Sequence, residues 1–283
     1  MNKLYSLGLY EKALPPGLSW KEKLQAAGDA GFDFLEMSID ESAEKLARLD
    51  MEDSEIGKLI QLMEKTGVSI ETICLSGHRK YPLGSSDPQA RLKAYEIMEK
   101  AICFAEKLGV RIIQLAGYDV FYEPSTQETR ERFEKGLQIA VNMAAKAGIL
   151  LAFETMDTEF MNTIVKAMDM VRNVDSPYLH IYPDLGNLTN AALEYGTALD
   201  QDFNAGKGRI LALHLKETAP GLYRNVPFGK GHVDFSAGIN KAWSMGIRRF
   251  VTEFWYDEKK DWRETLWSAR YMMSEILDRL SAV

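Results

Sequence analysis

The 283-residue chain reads as an α/β protein folded as a single-domain (β/α)8 TIM barrel spanning residues 1–283. Three observations carry that reading. A helix-like stretch that ends in glycine, followed at once by a short apolar run, recurs along the chain. The recurrences are spaced by about 36 to 42 residues, except for a double gap between Gly148 and Gly208 that "SPYLHIYPD" fills, and with "LYSLGLY" at the start they give eight strand candidates in all. The first strand candidate is followed by "GLYEKALPPG", without the G-x-G-x-x-G that an open doubly wound nucleotide-binding sheet usually carries there.

The elements follow in order. "LYSLGLY" opens the chain as the first strand, and "AGFDFLEMSI", "TGVSIETICLS", "LGVRIIQLAG" and "AGILLAFET" supply strands two to five. Strand six is "SPYLHIYPD", strand seven "GKGRILALHL" and strand eight "MGIRRFVTEFW". Gly31, Gly67, Gly109, Gly148, Gly208 and Gly246 suit the left-handed position just past a helix end, where a Cβ is a liability. Before strand six no such glycine occurs, and Pro177 is expected to end the preceding helix instead. Between strands, 89–108 and 129–147 place apolar residues three and four apart, as helices packed on a sheet require. Strict alternation of strand and helix implies parallel strands joined by crossover units. No linker, low-complexity tract or break in composition divides the chain.

Hydrophobic residues make up 46% and charged residues 27%, enough apolar material for a large core. The net charge of −7 argues against a sequence-independent grip on nucleic-acid phosphates, while a small anionic substrate needs only a local cluster of donors. No apolar run approaches the roughly 18 residues of a membrane span, and "MNKLYSLGLYEKALPPG" has no continuous apolar core of the signal-peptide kind. Cys74 and Cys103 are too few for a disulfide framework or a thiolate zinc site, and both sit in apolar strings that predict core positions. A cytoplasmic location follows from this reading.

In a barrel of this kind chemistry gathers at the C-terminal ends of the strands. Glu154 ends strand five, Asp184 strand six, His214 strand seven and Glu253 strand eight. Taken singly, each reads as a cap or an ion pair. In register on four successive strands they read as one site. Three carboxylates and an imidazole at one rim would repel without a cation, so the set is expected to bind a divalent metal. Oxygen-rich ligation with one nitrogen suits Mn²⁺, Mg²⁺, Co²⁺ or Zn²⁺.

Other rim groups are candidate substrate contacts. His78 and Arg79 lie in the turn-rich "LSGHRKYPLGS" after strand three, and equally suit a solvated connection. Lys216 shares a strand face with His214. Arg224 and Lys230 lie in "RNVPFGKGHVDFS", in which Asp234 is expected to cap a helix and His232 to serve the turn. A Walker motif is absent.

Glu154 and Glu253 are expected to present one carboxylate to each face of a ligand held between them. That arrangement suits removal of a proton from a carbon beside a carbonyl and its return on the other face, with the metal as Lewis acid for the enediolate. Epimerisation beside a ketone and aldose–ketose isomerisation both remain open on these residues.

"FETMD", "YPDLGN", "HLKET" with "NVPFGKGHVDF", and "VTEFW" together resemble the xylose-isomerase-like barrels of sugar epimerases and isomerases. "LGLYEKALP", "GFDFLEMSID", "LSGHRKYPLGS" and "IQLAGYDVFYE" resemble more closely the L-ribulose-5-phosphate 3-epimerase (L-xylulose-5-phosphate 3-epimerase) branch of pentose and L-ascorbate catabolism. The resemblance implies a divalent metal on Glu154, Asp184, His214 and Glu253, with Glu154 and Glu253 as the acid–base pair. It also implies an isomerase that inverts carbon 3 of a ketopentose 5-phosphate. Asn187 stands where many relatives have histidine, and joins the candidate substrate contacts; Lys230 replaces a group that is often acidic. An aldose–ketose isomerase of a phosphorylated sugar and a non-catalytic sugar-phosphate sensor are the competing readings. The four histidines are too few for an abasic-site endonuclease with a multinuclear zinc cluster. Aromatics near Trp255, Tyr256, Trp262 and Trp267 suit a homodimer contact, and core packing equally well.

Overall fold

The computed structural model describes residues 3–282. Eight parallel strands alternate with helices, as the punctuation predicts. The strands are β1 (Ser6–Tyr10), β2 (Phe34–Ile39), β3 (Ser69–Leu75), β4 (Ile112–Ala116), β5 (Leu150–Glu154), β6 (Leu179–Ile181), β7 (Leu213–Leu215) and β8 (Arg249–Thr252). They share one sheet in the order β6-β5-β4-β3-β2-β1-β8-β7. A parallel bridge between Asp184 and His214 carries the pairing from the chain just beyond β6 to β7, the link a closed barrel needs.

The helices are α1 (Trp20–Asp29), α2 (Ala43–Leu46), α3 (Asp53–Thr66), α4 (Pro88–Leu108), α5 (Gln127–Ala147), α6 (Ile164–Val174), α7 (Leu185–Tyr195), α8 (Leu199–Ala205), α9 (Phe235–Ser244) and α10 (Trp262–Ser281). Their ends are written in the sequence. Asp87 accepts from the Gln89 amide at 2.9 Å with Pro88 in the first turn of α4, and that helix stops at Gly109, φ 86°. The six glycines singled out by the repeat all take positive φ, between 67° and 89°. Ahead of β6 the left-handed residue is Asp175, φ 47°, rather than any terminator at Pro177: the helix has already ended when the proline is reached. Aspartate tolerates this region better than most side chains, so the missing glycine leaves the repeat intact.

The chain clusters into two compact units. The first comprises 1–36, 59–70 and 182–283, the second 37–58 and 71–181. In the first, β8 pairs with β1 (Gly8 opposite Val251) and with β7 (His214 opposite Val251). Leu7, Leu9, Phe34, Leu213, Phe250 and Val251 bury its interior. In the second, β4 pairs with β3 and β5, and Ala116 stands opposite Glu154. Two of the four boundaries fall inside β2 and β3 themselves, one inside α3 and one just after β6.

Two expectations change. β6 ends at Ile181, three residues short of Asp184, because Pro183 has no N–H for the ladder. Asp184 instead caps α7, its Oδ1 accepting the Asn187 amide at 2.6 Å. Cys74 is buried, but Cys103 is exposed. Its string lies on α4, where Ile102, Phe104 and Ala105 turn inward and the residue between them faces out. Asp234 caps α9 as expected, accepting from the Ala237 amide at 2.9 Å.

The first loop and α1 are joined by an ion pair out of reach of water. Lys23 Nζ lies 2.6 Å from Glu11 Oε1, with side-chain exposures of 5% and 1%. Removing one partner strands a buried charge, which costs about 3–5 kcal/mol, whereas replacing both with apolar groups is close to neutral. Urea unfolding of Lys23→Met should therefore show a loss of about that size, and Glu11→Leu/Lys23→Met together should regain most of it.

Candidate functional site

In the first unit, strand ends set the site. Residues two apart on a strand share a face, so His214 and Lys216 project together from β7 and its end. Glu253 follows β8, held by its backbone N–H on the Leu215 carbonyl at 2.9 Å. Asp184 stands at the head of α7. The side chains converge: His214 Nδ1 is 2.9 Å from Glu253 Oε2, and Lys216 Nζ is 3.2 Å from Asp184 Oδ2 and 3.9 Å from Glu253 Oε2. Asp184, His214 and Glu253 each offer a metal-ligand atom within 4.8 Å of the others. All are buried, as is Lys216.

Burial alone would raise the Glu253 carboxyl, yet Lys216 and His214 beside it hold it well below the usual carboxylate range. The donor set suits a divalent cation on chemical grounds. It has two carboxylates and an imidazole, all buried, around a charge deficit that the Lys216 ammonium now relieves. Beside it lies a cleft of about 790 Å³ lined by Lys216, Glu217, Asn225, Phe228, Glu253 and Trp255. Tyr10 meets Trp255 edge-on at 6.1 Å, and the Arg224 guanidinium lies over the same indole at 5.1 Å.

The loop from Arg224 to Asp234 is pinned to that cleft. The buried Glu217 carboxylate accepts from the amides of Gly229 (2.9 Å) and Val233 (3.2 Å). At Gly231 a Cβ would overlap the Glu217 carboxylate and the Thr218 carbonyl, so only glycine fits. Arg224 and Lys230 are exposed on this loop. His232 meets Thr218 Oγ1 at 3.2 Å, as a turn residue would.

In the second unit, Glu154 closes β5, and its Oε2 accepts from Gln114 Nε2 on β4 at 2.9 Å. Arg79 follows β3 in the short turn Gly77–Arg79, its guanidinium over the rings of Phe121 (4.8 Å) and Tyr118 (5.7 Å). Burial opposes its charge, but Tyr118 and Glu154 overcome that and hold it firmly protonated. The Tyr118 hydroxyl donates to Asp157, and burial and that carboxylate push its pKa up. His78 turns toward α4: its Nε2 lies 3.1 Å from the Ala94 carbonyl, and burial lowers its pKa.

Of the predicted residues, Asp184, His214, Glu253 and Lys216 come together in the first unit, with the Asn187 amide on Asp184. Arg224 and Lys230 stay on the exposed loop, and His78 contacts helix backbone. Glu36, Gln114 and the loop-pinning role of Glu217 escaped the sequence reading. "FLEMSI" and "IIQLA" carry a signal for the first two, a polar residue set within an apolar strand.

The family model of the xylose isomerase-like TIM barrel matches residues 24–272. The chain belongs to that family. Within the xylose isomerase-like TIM barrels it is 44% identical over 262 residues to the L-ribulose-5-phosphate 3-epimerase UlaE of Escherichia coli O139:H28, covering 92% of this chain and 91% of the relative. The Escherichia fergusonii protein of the same name is 43% identical over the same shares. Solved relatives of the fold include an L-ribulose 3-epimerase, with TM-score 0.79, 19% identity and 98% and 97% of the two chains covered. The 3-keto-D-glucoside 4-epimerase YcjR of E. coli aligns with TM-score 0.75 and 18% identity, covering 94% and 99%.

Lys216→Met should destabilise chelator-treated protein by about 3–5 kcal/mol in urea, since Asp184 and Glu253 stay buried without their ammonium. An unchanged unfolding midpoint would show that Lys216 does not compensate them.

Proposed function

We propose that the chain is an isomerase that inverts carbon 3 of a ketopentose 5-phosphate, interconverting L-ribulose 5-phosphate and L-xylulose 5-phosphate with a divalent metal. The observation that carries this reading is the 44% identity to an L-ribulose-5-phosphate 3-epimerase over 92% of the chain. The buried Asp184, His214 and Glu253 donors support it chemically.

In this reading Glu154 joins those three residues in holding Mn²⁺, Zn²⁺, Co²⁺ or Mg²⁺. The cation, when bound, supplies Lewis acidity at the ketone oxygen. Glu154 and Glu253 are the proton carriers: one takes the proton from carbon 3 and the other returns a proton to the opposite face. Gln114, donating to Glu154 Oε2, helps to orient that carboxylate. Lys216, already beside Asp184 and Glu253, serves substrate oxygens. Arg79, Arg224 and Lys230 supply positive charge for the phosphate, and His78 and Asn187 complete the substrate contacts. The cleft beside Glu253 has room for a pentose phosphate.

We further read the chain as one domain acting in the cytoplasm, and as a homodimer. Among the described residues no helix is long and apolar enough to cross a membrane. The dimer reading draws on Trp267 and Tyr271, stacked at 5.4 Å and both exposed on α10. Trp262, Trp255 and Tyr256 are only partly exposed.

The purified protein with Mn²⁺ should convert L-ribulose 5-phosphate to L-xylulose 5-phosphate, and in D₂O NMR should find deuterium at carbon 3. Glu154→Gln should slow both by roughly 10²- to 10⁴-fold while the protein stays folded. An aldose product labelled at carbon 2, with carbon 1 exchanged in the remaining ketose, would make it an aldose–ketose isomerase. Binding without exchange would make it a sensor.

A further inference from the structure

Glu36 lies in the middle of β2, in the apolar run "FLEMSI", and is fully buried. A carboxylate at such a position is costly unless it answers another polar group. It does so across the first unit: Glu36 Oε1 is 2.6 Å from His214 Nε2, both side chains at 0% exposure. The other ring nitrogen, Nδ1, faces Glu253 Oε2 at 2.9 Å.

Both ring nitrogens face a carboxylate within hydrogen-bond distance, and Nδ1 is the one on the side of Glu253; with Nδ1 given to a cation there, only Nε2 keeps its proton, which it donates to Glu36. The ring plane is held from its sides as well. Tyr182 meets it edge-on at 4.8 Å and Tyr10 lies tilted at 6.3 Å. The His214 backbone is tied through its N–H to the Pro183 carbonyl at 2.9 Å, next to Asp184. A half-turn of the ring about Cβ–Cγ would put carbons where Nδ1 and Nε2 now stand, and the hydrogen bond to Glu36 opposes it.

From this arrangement we infer that Glu36 is a positioning residue for the metal centre: it fixes His214 in the Nε2–H form and thereby dedicates Nδ1 to the cation. The inference rests on the reading of His214 as a metal ligand. A buried acceptor behind a ligating histidine both orients the ring and raises its basicity, and loss of such a partner costs metal affinity by roughly 10- to 100-fold. Glu36 does not touch the substrate in this account; it acts through His214. Glutamine at the same place keeps a carbonyl acceptor for Nε2–H but removes the negative charge, so it should preserve the tautomer and part of the affinity.

The test uses Zn²⁺ as probe on the full-length protein after chelator treatment. Calorimetric titration compares wild type, Glu36→Leu and Glu36→Gln, with circular dichroism and melting curves reporting the fold. ¹⁵N-histidine NMR reads the ring nitrogens of His214, assigned with His214→Asn. Expected are Nε2–H with a metal-shifted Nδ1 in loaded wild type, a Zn²⁺ affinity lower by roughly 10- to 100-fold in Glu36→Leu, and an intermediate loss with the wild-type tautomer in Glu36→Gln. Equal affinities in wild type and both variants would overturn the role of Glu36 and leave the metal site standing. Zn²⁺ on Nε2 with Nδ1 protonated in wild type would overturn it without any variant, even if Glu36→Leu fails to fold. No Zn²⁺ binding by wild type would overturn the metal-site reading and this inference with it.

Discussion

The interaction on which the rest depends is the mutual compensation of buried charge among Asp184, Glu253, His214 and Lys216. Each of these groups is costly where it stands, since all four side chains are buried or nearly so. Together they hold one another: the ammonium sits 3.2 Å from one carboxylate, and the imidazole 2.9 Å from the other. A low-dielectric surrounding makes such contacts strong and makes the loss of any one partner severe. A structure that tolerates this cluster needs short, firmly placed backbone around it. β7 is three residues long, β8 is four, and Asp184 is fixed as the cap of α7.

The surroundings extend that logic outward. Glu217, two residues beyond the end of β7, uses its buried carboxylate to gather the amides of the glycine-containing loop. The loop is therefore tied to the same strand end that carries His214 and Lys216. Glu36 approaches His214 from the opposite nitrogen. In the second unit Gln114 treats Glu154 in a similar way, a buried amide orienting a buried acid. Glu36 and Gln114 each engage a stated atom of a buried polar partner and so orient it. Such preorganisation is what a proton-transfer site requires, because it removes the cost of arranging dipoles during the reaction.

Much of the fold was legible in the sequence because glycine has a local, conformational meaning. The positive φ at Gly31, Gly109 and Gly246 follows from the residue itself and needs no knowledge of distant contacts. Strand six was harder to bound, since Pro183 ends the ladder and Asp175 replaces glycine at the helix end. The site was legible as a row of acids and one histidine at strand ends. Lys216 was readable from its two-residue offset to His214. Glu36 was not, because its partner lies 178 positions away and nothing in β2 says which side chain it will meet. Cys103 misled for a related reason: an apolar string on a helix has an outward face, and composition does not reveal which residue takes it.

The central proposal is that Asp184, His214 and Glu253 hold a divalent cation. A crystal structure of protein soaked in Mn²⁺, with anomalous data, tests it directly. The account predicts a single strong anomalous peak within bonding distance of His214 Nδ1 and the Asp184 and Glu253 carboxylates, with the Lys216 ammonium moved off Asp184. A map with no peak there, or with Mn²⁺ on other residues while Lys216 keeps its place, would contradict it.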